Sequence, residues 1–323
     1  YGFKKVFTSL ILNDLDFRNT RHVEPGEYKE FFALCRELGL KACADINDKV
    51  FYSLGCSVDN LKPLYEMSIE AIRIDSGFSG EEYILLTKNS YNIKIEANAS
   101  ILCAKGDNTY KEIEGFLNRI KRLGNINNLT ACHNFFPRKD TGLKLEDMKD
   151  INELFKSFDI KIGAFVASQL SPPDLHSPGH GICTIEAHRY LPPQYAMQEL
   201  FAAGFDYVLI GDSFAEENEL AAMSEAFRKD YIEIPVVFNE YIDEHVKQQI
   251  LNTTLKSRED QPDYLIRATN TRGITVNPRY CADRPKFTVT MDNSKSLRYM
   301  GELQIALKDM GSCSEANVVG FVH

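Results

Sequence analysis

Short apolar runs alternate with longer segments of helical periodicity over the first two thirds of the chain. Seven runs have this character, at 5–10, 41–46, 71–74, 93–97, 129–132, 160–166 and 207–210. Amphipathic patterns separate them, most clearly at 27–38, 111–123, 145–158 and 194–203. Strand–helix alternation with almost continuously apolar strands is typical of a parallel sheet that is buried on both faces. The pattern therefore predicts an α/β fold of the (β/α) type.

The number of strand–helix units and a change of pattern suggest the domain organisation. A closed barrel of this type has eight strands, and the pattern supplies seven. We therefore expect the first strand and most of its helix to precede residue 1. After about residue 235, a helical stretch at 242–251 is followed by β-like segments at 264–268, 275–276, 287–291, 302–307 and 318–322. The prediction is a TIM-like (β/α)8 barrel over 1–235 and a small β domain over 236–323.

Composition and charge narrow the classes of partner. The formal net charge is −9 and is spread along the chain, which argues against nucleic acid or an anionic membrane as the main partner. No run approaches the roughly 18 apolar residues of a membrane span. The eight cysteines include no Cys-x-x-Cys pair, which disfavours structural zinc and is typical of free thiols in a reducing compartment. We expect a small-molecule partner, no metal and no cofactor, and the sequence leaves the oligomeric state open.

Polar residues follow nearly every predicted strand, and the active site of such a barrel lies at these carboxyl ends. They are Asp45, Asp75, Asn98, His133, Asn134 and Asp212, with Glu186, His188 and Arg189 in the long loop 169–189. Each aspartate alone can instead be a helix N-cap. Several carboxylates at one mouth indicate acid–base chemistry on a glycosidic bond, which needs two carboxyl groups. We predict Asp75 and Glu186 as the catalytic pair, with Asp212 and Asp45 as substitutes.

Other functions remain open on the same barrel. A metal site would usually show a His-x-His or His-Glu-x-x-His spacing, and neither is present. A sugar-phosphate aldolase or isomerase would need a strand lysine near the mouth, whereas Lys94 and Lys161 lie nearer to the strand starts. A non-enzymatic sugar-phosphate binding protein is the remaining alternative, and turnover distinguishes it from an enzyme.

Four segments of the chain resemble the MupG-type 6-phospho-N-acetylmuramidase family. They are Arg-Ile-Asp-Ser-Gly-Phe at 73–78, Ala-Cys-His-Asn-Phe-Phe-Pro-Arg at 131–138, Thr-Ile-Glu-Ala-His-Arg at 184–189 and Arg-Tyr-Met-Gly-Glu-Leu-Gln-Ile at 298–305. The resemblance implies a TIM-like barrel followed by a cyclophilin-like β domain. It also implies hydrolysis of the β-1,4 bond in N-acetylmuramic acid 6-phosphate–N-acetylglucosamine. That phosphorylated amino-sugar disaccharide arises in the bacterial cytoplasm, so the implied enzyme is a cytoplasmic hydrolase of peptidoglycan recycling.

A substrate with a 6-phosphate and a lactyl carboxylate requires positive groups in its pocket. The candidates are Arg138, His188 and Arg189 in the barrel, and Arg267 and Arg272 in the β domain. Arginine can grip a phosphate bidentately, although each of these arginines can instead form a structural salt bridge. We expect Asn98, His133 and Asn134 to bind sugar hydroxyls or an acetamido group, with Asp45 beside them. Phe78 or Phe135 can offer an apolar face to a sugar ring.

Overall fold

The computed structural model describes residues 1–11, 28–100, 109–173, 178–260 and 262–323, with only the backbone of Asp75 and Thr109. These residues divide into two compact units, Tyr1–Lys229 and Asp230–His323. Each unit has its own sheet and its own hydrophobic core. No helix within these ranges is long and apolar enough to cross a bilayer.

The first unit contains seven parallel strands that pair in chain order. They are β1 Lys5–Ser9, β2 Lys41–Asn47, β3 Ala71–Ser76, β4 Lys94–Asn98, β5 Leu129–Cys132, β6 Ile162–Val166 and β7 Tyr207–Ile210. Each predicted apolar run overlaps one of these strands. β1 and β7 lie next to each other, and Phe7 on β1 packs against Phe165 on β6 with ring centroids 5.2 Å apart. The sheet therefore curves into a nearly closed barrel, and the predicted fold class is confirmed.

Eight helices are described in this unit, and they connect the strands. They are α1 Lys29–Glu37, α2 Asp48–Ser53, α3 Lys62–Glu66, α4 Gly80–Thr87, α5 Thr109–Leu123, α6 Leu145–Ser157, α7 Pro193–Ala202 and α8 Glu217–Arg228. Helix α6 shows why they pack as they do, because its buried residues recur at helical spacing: Met148, Ile151, Asn152, Leu154 and Phe155. Such a stripe lies against the core while the charged residues of the helix face water.

Side chains fill the interior of the barrel, and one glycine makes room for a large ring. Gly163 on β6 lies so close to Tyr207 on β7 that a Cβ at position 163 would sit 2.2 Å from Cε2 of the tyrosine. The ammonium group of Lys5 lies 3.6 Å from the centroid of the same ring. Gly163 therefore sets the position of Tyr207 inside the barrel.

The second unit contains one helix, α9 Glu244–Leu251, and a five-stranded antiparallel sheet. Its strands are β8 Val236–Phe238, β9 Leu265–Ala268, β10 Thr288–Asp292, β11 Leu303–Ala306 and β12 Ala316–Val322. They pair in the order β8-β12-β10-β11-β9. The predicted strand at 275–276 is wrong, because this segment is irregular. Val276 is apolar for another reason, since it is buried in the core of the unit.

Substitution of Gly163 by alanine is expected to lower the free energy of unfolding by about 1–3 kcal/mol, because the added methyl group displaces Tyr207. Gly115 on α5 is the matched control, since nothing lies within 4 Å of a Cβ at that position. Gly115→Ala should raise the free energy of unfolding by about 1 kcal/mol, through helix propensity. Urea unfolding followed by circular dichroism measures both effects. A Gly163→Ala variant as stable as the unmodified chain would contradict the packing of Tyr207 on Gly163.

Candidate active site

Arg73 on β3 is the centre of a buried group of polar side chains, and only 1% of it is exposed. Its Nε lies 3.9 Å from Oδ1 of Asp45, and its Nη1 lies 4.0 Å from Oε1 of Glu96. Nη1 also donates a hydrogen bond of 3.3 Å to the carbonyl oxygen of His133, and Nη2 donates to Oδ1 of Asn134. One guanidinium group thus links β2, β4 and the end of β5.

Strand register explains why these charges meet. Asp45 on β2 is the register partner of Arg73 on β3, and Arg73 is the register partner of Glu96 on β4. Register partners in a parallel sheet lie side by side and project to the same face. Three neighbouring strands therefore place a carboxylate, a guanidinium and a carboxylate at one level of the barrel.

Glu96 is fully buried, and its contacts reach across the barrel to β1 and β7. Its Oε2 lies 3.3 Å from Nζ of Lys5 and 2.7 Å from the hydroxyl oxygen of Tyr207. Burial, together with the negative charge of Glu96, raises the pKa of Tyr207 well above its usual value. Tyr207 therefore stays protonated as a hydrogen-bond donor. Two cations, Lys5 and Arg73, flank this one buried carboxylate.

His133 is held by both of its ring nitrogens directly after β5. Nε2 lies 2.8 Å from Oδ1 of Asn152, and Nδ1 lies 3.3 Å from Oγ of Ser100. Burial lowers the pKa of His133 to about 4, against the opposing effect of its hydrogen bond to Asn152. His133 is therefore neutral at pH 7, and its contacts position the strand end.

Asn98 ends β4 with a hydrogen-bond donor that no described residue satisfies. Its Oδ1 accepts a 3.1 Å hydrogen bond from the backbone amide of Ser100. Its Nδ2 is buried and without a partner, although only 6% of the residue is exposed. An unmet buried donor is costly, so such a group is a good candidate for binding a ligand oxygen.

Two predicted site aspartates, Asp45 and Asp75, lie on the strands beside this group, and the structure describes the side chain of the first only. Asp45 is buried, and its Oδ2 accepts a 3.4 Å hydrogen bond from Oγ of Ser9. Asp75 lies near the carboxyl end of β3, two residues after Arg73, and its side chain is outside the described part of the structure. The predicted residues brought together around Arg73 are therefore Asp45, His133 and Asn134, with Asn98 at the end of neighbouring β4.

Glu186, predicted as half of the catalytic pair, has both carboxylate oxygens occupied. Arg189 donates to both, from Nε and from Nη2, at 2.7 Å each. The backbone amides of Asp140 and Gly142 donate to the same two oxygens at 2.8 and 2.7 Å. The ion pair with Arg189 and these amides hold the pKa of Glu186 at about 2. The carboxylate is therefore ionised at neutral pH and carries no proton to donate.

Arg189 and His188, predicted to bind phosphate, both contact protein groups, although Nδ1 of buried His188 has no partner among the described residues. The Nη1 of Arg189 donates to the carbonyl oxygens of Phe136 and Gly181 at 2.9 and 2.8 Å, in addition to its two bonds with the Glu186 carboxylate. Nε2 of buried His188 lies 2.7 Å from Oε2 of Glu199 on α7. The contacts of Arg189 join the loop after β6 to the loop after β5, and the contact of His188 fixes the loop after β6 to α7.

Asp212 and Arg138 differ in their surroundings. Oδ2 of Asp212 accepts hydrogen bonds from the amides of Ser168 and Ile182 at 2.8 and 3.0 Å, so it fixes the loop after β6. Arg138 is exposed in the loop after β5. Its guanidinium group has no ion pair within the described ranges, so it is available to a ligand.

The predicted aromatic platforms pack against other rings. The ring of Phe135 lies 5.1 Å from that of Phe165, and the ring of Phe78 lies 5.2 Å from that of Phe51. Tyr190 and Phe214, in the loops after β6 and β7, are instead largely exposed. In the second unit, Arg267 and Arg272 both pair with the carboxylate of Glu302.

The sequence analysis did not identify Arg73, Glu96, Lys5 and Tyr207 as members of this group. The available signal was an ionisable residue in an otherwise apolar strand, two positions before a predicted site residue. Arg73 precedes Asp75 in this way, and Glu96 precedes Asn98. Because side chains alternate along a strand, such a spacing predicts that the two residues face the same side of the sheet.

Comparison with known proteins matches both units to one family. Residues 1–225 match the family described as 6-phospho-N-acetylmuramidase, N-terminal, and residues 232–323 match its C-terminal counterpart. The chain belongs to the 6-phospho-N-acetylmuramidase family. The family resemblance inferred from the sequence is thus confirmed, and it supports a glycosidase-like function.

Two solved structures are similar to the chain over almost all of its length. An uncharacterized B. cereus protein is 30% identical, with a TM-score of 0.78 over 99% of this chain and 86% of that protein. A conserved Enterococcus faecalis protein of unknown function is 24% identical, with a TM-score of 0.68 over 100% of this chain and 83% of that protein. The second likeness shows the fold alone. No curated protein matches the sequence at a significant level.

Replacement of Glu186 by glutamine is expected to lower the free energy of unfolding at pH 7 by about 1–3 kcal/mol, because buried Arg189 loses its charged partner. Because the pKa of Glu186 is lowered, its contribution is present above the unfolded-state value of about 4.3 and is lost as the pH falls toward 2. The difference in the free energy of unfolding between Glu186→Gln and the unmodified chain should therefore shrink as the pH falls over that interval. Urea unfolding at several pH values measures it.

Glu225→Gln is the control for this experiment, because Glu225 pairs with Lys229 on the surface of α8. Its effect on the free energy of unfolding should stay within about 0.5 kcal/mol. If Glu186→Gln unfolds like the unmodified chain but loses hydrolytic activity, Glu186 acts in catalysis and the structural role assigned to it is wrong.

Proposed function

We propose that the barrel unit hydrolyses the β-1,4 bond between N-acetylmuramic acid 6-phosphate and N-acetylglucosamine, in the cytoplasmic recycling of bacterial peptidoglycan. The observation that carries the proposal is the register-matched group of Asp45, Arg73 and Glu96 in a barrel of this family. It places ionisable groups near the carboxyl ends of neighbouring strands, where barrels of this kind act on their substrates.

Asp75 and Asp45 form the proposed catalytic pair. Glycoside hydrolysis uses one carboxyl group as acid and a second as nucleophile or base. Asp45 and Asp75 stand near the carboxyl ends of neighbouring strands β2 and β3, where such barrels place their catalytic groups. Glu186 and Asp212, in contrast, bind backbone amides of the loops. Asp45, whose Oδ1 lies 3.9 Å from Nε of Arg73, is the proposed nucleophile or base. Asp75 is then the proposed general acid.

Asn98 is proposed to bind the sugar. Its unsatisfied Nδ2 suits an acceptor oxygen, such as an acetamido carbonyl or a hydroxyl group. An oxygen placed there gains a hydrogen bond, and the buried amide loses its desolvation penalty. Binding at this point would hold a sugar ring beside the strand ends that carry Asp45 and Asp75.

The positions of the strand lysines disfavour an aldolase that forms a Schiff base. Lys5, Lys41 and Lys94 are each the first residue of a strand. They therefore lie at the amino ends, opposite to the mouth. Lys94 also donates to the carbonyl oxygen of Asn127 at 2.8 Å. A reactive lysine would be expected at the carboxyl ends instead.

The deciding experiment supplies the disaccharide with and without its 6-phosphate and follows release of N-acetylglucosamine by mass spectrometry. Release from the phosphorylated form alone is the expected result. No release from either form would reject the proposed reaction and favour a binding protein. Equal release from both would reject the requirement for phosphate.

Asp75→Asn and Asp45→Asn are each expected to lower kcat/KM on the disaccharide by at least about a thousandfold. An aryl glycoside with a good leaving group separates the roles, because its departure needs little protonation. On that substrate Asp75→Asn should recover most of its activity, whereas Asp45→Asn should not. Asp150→Asn, at an exposed position on α6, is the control and should leave kcat/KM unchanged. Recovery by Asp45→Asn instead would reverse the two roles.

Arg138 is the proposed contact for the 6-phosphate in the barrel unit. Arg138→Ala should raise KM for the phosphorylated disaccharide about tenfold or more, because a charge-assisted hydrogen bond to phosphate is lost. Lys139→Ala removes the neighbouring exposed cation and should change KM less than about twofold. Steady-state kinetics measures both variants. Equal effects of the two would show that only the general positive charge of the loop matters.

A further inference from the structure

Three arginines of the second unit gather around one aromatic ring. The guanidinium carbons of Arg267, Arg272 and Arg298 lie 6.0, 4.7 and 4.9 Å from the centroid of Tyr299. They come from β9, from the loop after it, and from the segment before β11. Cations are attracted to an aromatic face, but this attraction does not by itself account for three like charges in one place.

A buried carboxylate fixes two of these arginines. Glu302 is fully buried, and its Oε1 accepts a hydrogen bond from Nε of Arg267 at 2.5 Å. Its Oε2 accepts from Nε of Arg272 at 2.7 Å and also from Nη2 of the same residue. The Nη groups of Arg267 and Nη1 of Arg272 have no partner among the described residues. The two guanidinium groups are thus held in place, and each keeps at least one Nη donor without a partner among the described residues. Both side chains remain partly exposed.

The local charge is positive. Against three guanidinium groups stand Glu302 and Asp292, and the nearby ion pair of Arg258 with Asp260 adds no net charge. Burial together with the charge of Glu302 raises the pKa of Asp292 to about 6. The group therefore carries at least one net positive charge even when both carboxylates are ionised. Arg298 does not contribute to the pairing with Glu302, since its Nη2 donates to the hydroxyl of Tyr299 at 2.8 Å. An anion would remove the repulsion that remains.

The backbone beside Arg298 is strained. Leu297 has φ 52° and ψ −115°, a conformation that side chains with a Cβ rarely adopt, and 81% of the residue is exposed. Such strain is concentrated at functional sites. Here it directs the segment that carries Arg298 and Tyr299 toward the other two arginines.

We propose that Arg267, Arg272 and Arg298 form a binding site for a phosphomonoester on the second unit. A phosphomonoester carries close to two negative charges at pH 7 and three acceptor oxygens, which matches three separate guanidinium groups better than the two oxygens of a carboxylate. The site stands apart from the proposed hydrolysis, since it requires only that the second unit binds a phosphorylated ligand. The ligand is either the phosphorylated disaccharide or a separate sugar phosphate.

The test uses the full chain, with inorganic phosphate and N-acetylmuramic acid 6-phosphate as probes. Phenylglyoxal modifies accessible guanidinium groups, and peptide mass spectrometry reports the modification of each arginine. Both probes should protect Arg298 and Arg272 by at least about fivefold. Arg284, which donates to the carbonyl oxygen of Gly311, serves as the internal control and should not be protected. Absence of protection at Arg298 and Arg272 would overturn the proposal.

Arg298→Ala is the informative variant, because it leaves the pairs of Glu302 with Arg267 and Arg272 intact. It should abolish the protection of Arg272, whereas Lys295→Ala, which removes an exposed cation three residues away, should preserve it. Loss of protection in both variants, or in neither, would overturn the proposal. Thermal unfolding verifies that both variants are folded.

Kinetics then identifies the source of the phosphate. A KM for the phosphorylated disaccharide that rises at least tenfold in Arg298→Ala would assign the site to the substrate. An unchanged KM, together with lost protection of Arg272, would assign it to a separate sugar phosphate. Both outcomes support the site, and the protection experiment remains decisive even for a chain that hydrolyses nothing.

Discussion

The buried carboxylate of Glu96, held between Lys5 and Arg73, is the interaction on which the barrel's candidate site depends. Removing one partner from such a group leaves an uncompensated charge in the interior, which costs far more than the pair gains over apolar packing. The charges therefore act mainly by permitting one arrangement of β1, β3, β4 and β7. In that arrangement Arg73 also contacts Asp45 and the end of β5. The positions of these residues at the barrel mouth therefore depend on the buried contacts of Glu96 and Arg73.

A second set of carboxylates orders the loops above the barrel. Glu186 joins the loop after β5 to the loop after β6, and Asp212 joins the end of β6 to the same loop. Both bind backbone amides, which hold a loop more tightly than contacts between flexible side chains do. Carboxylates that accept from several backbone amides therefore support these loops.

The strands were predictable because buried parallel strands are apolar along their whole length, as at Ile162–Val166. Asp45 and His133, which the rule of polar residues at strand ends assigns to one mouth, both contact Arg73. Roles were harder to predict. The backbone amides that bind Glu186 lie more than forty residues away in the sequence, and only the fold decides whether a loop carboxylate contacts amides or solvent. The link between Asp45, Arg73 and Glu96 required the strand register, which sequence spacing does not give.

Each unit contains a buried glutamate that pairs with two cations. The exposure of those cations distinguishes the functions of the two groups. Around Glu96 the cation Arg73 is almost fully buried and has Asp45 as a second counter-ion, so the charges are balanced within the protein. Around Glu302 the two arginines are partly exposed, and a third cation adds to them. A balanced buried group positions other residues, whereas an unbalanced exposed one attracts a ligand. The net charge of −9 does not oppose this, because salt screens exposed charges beyond about 8 Å and leaves the local excess to act.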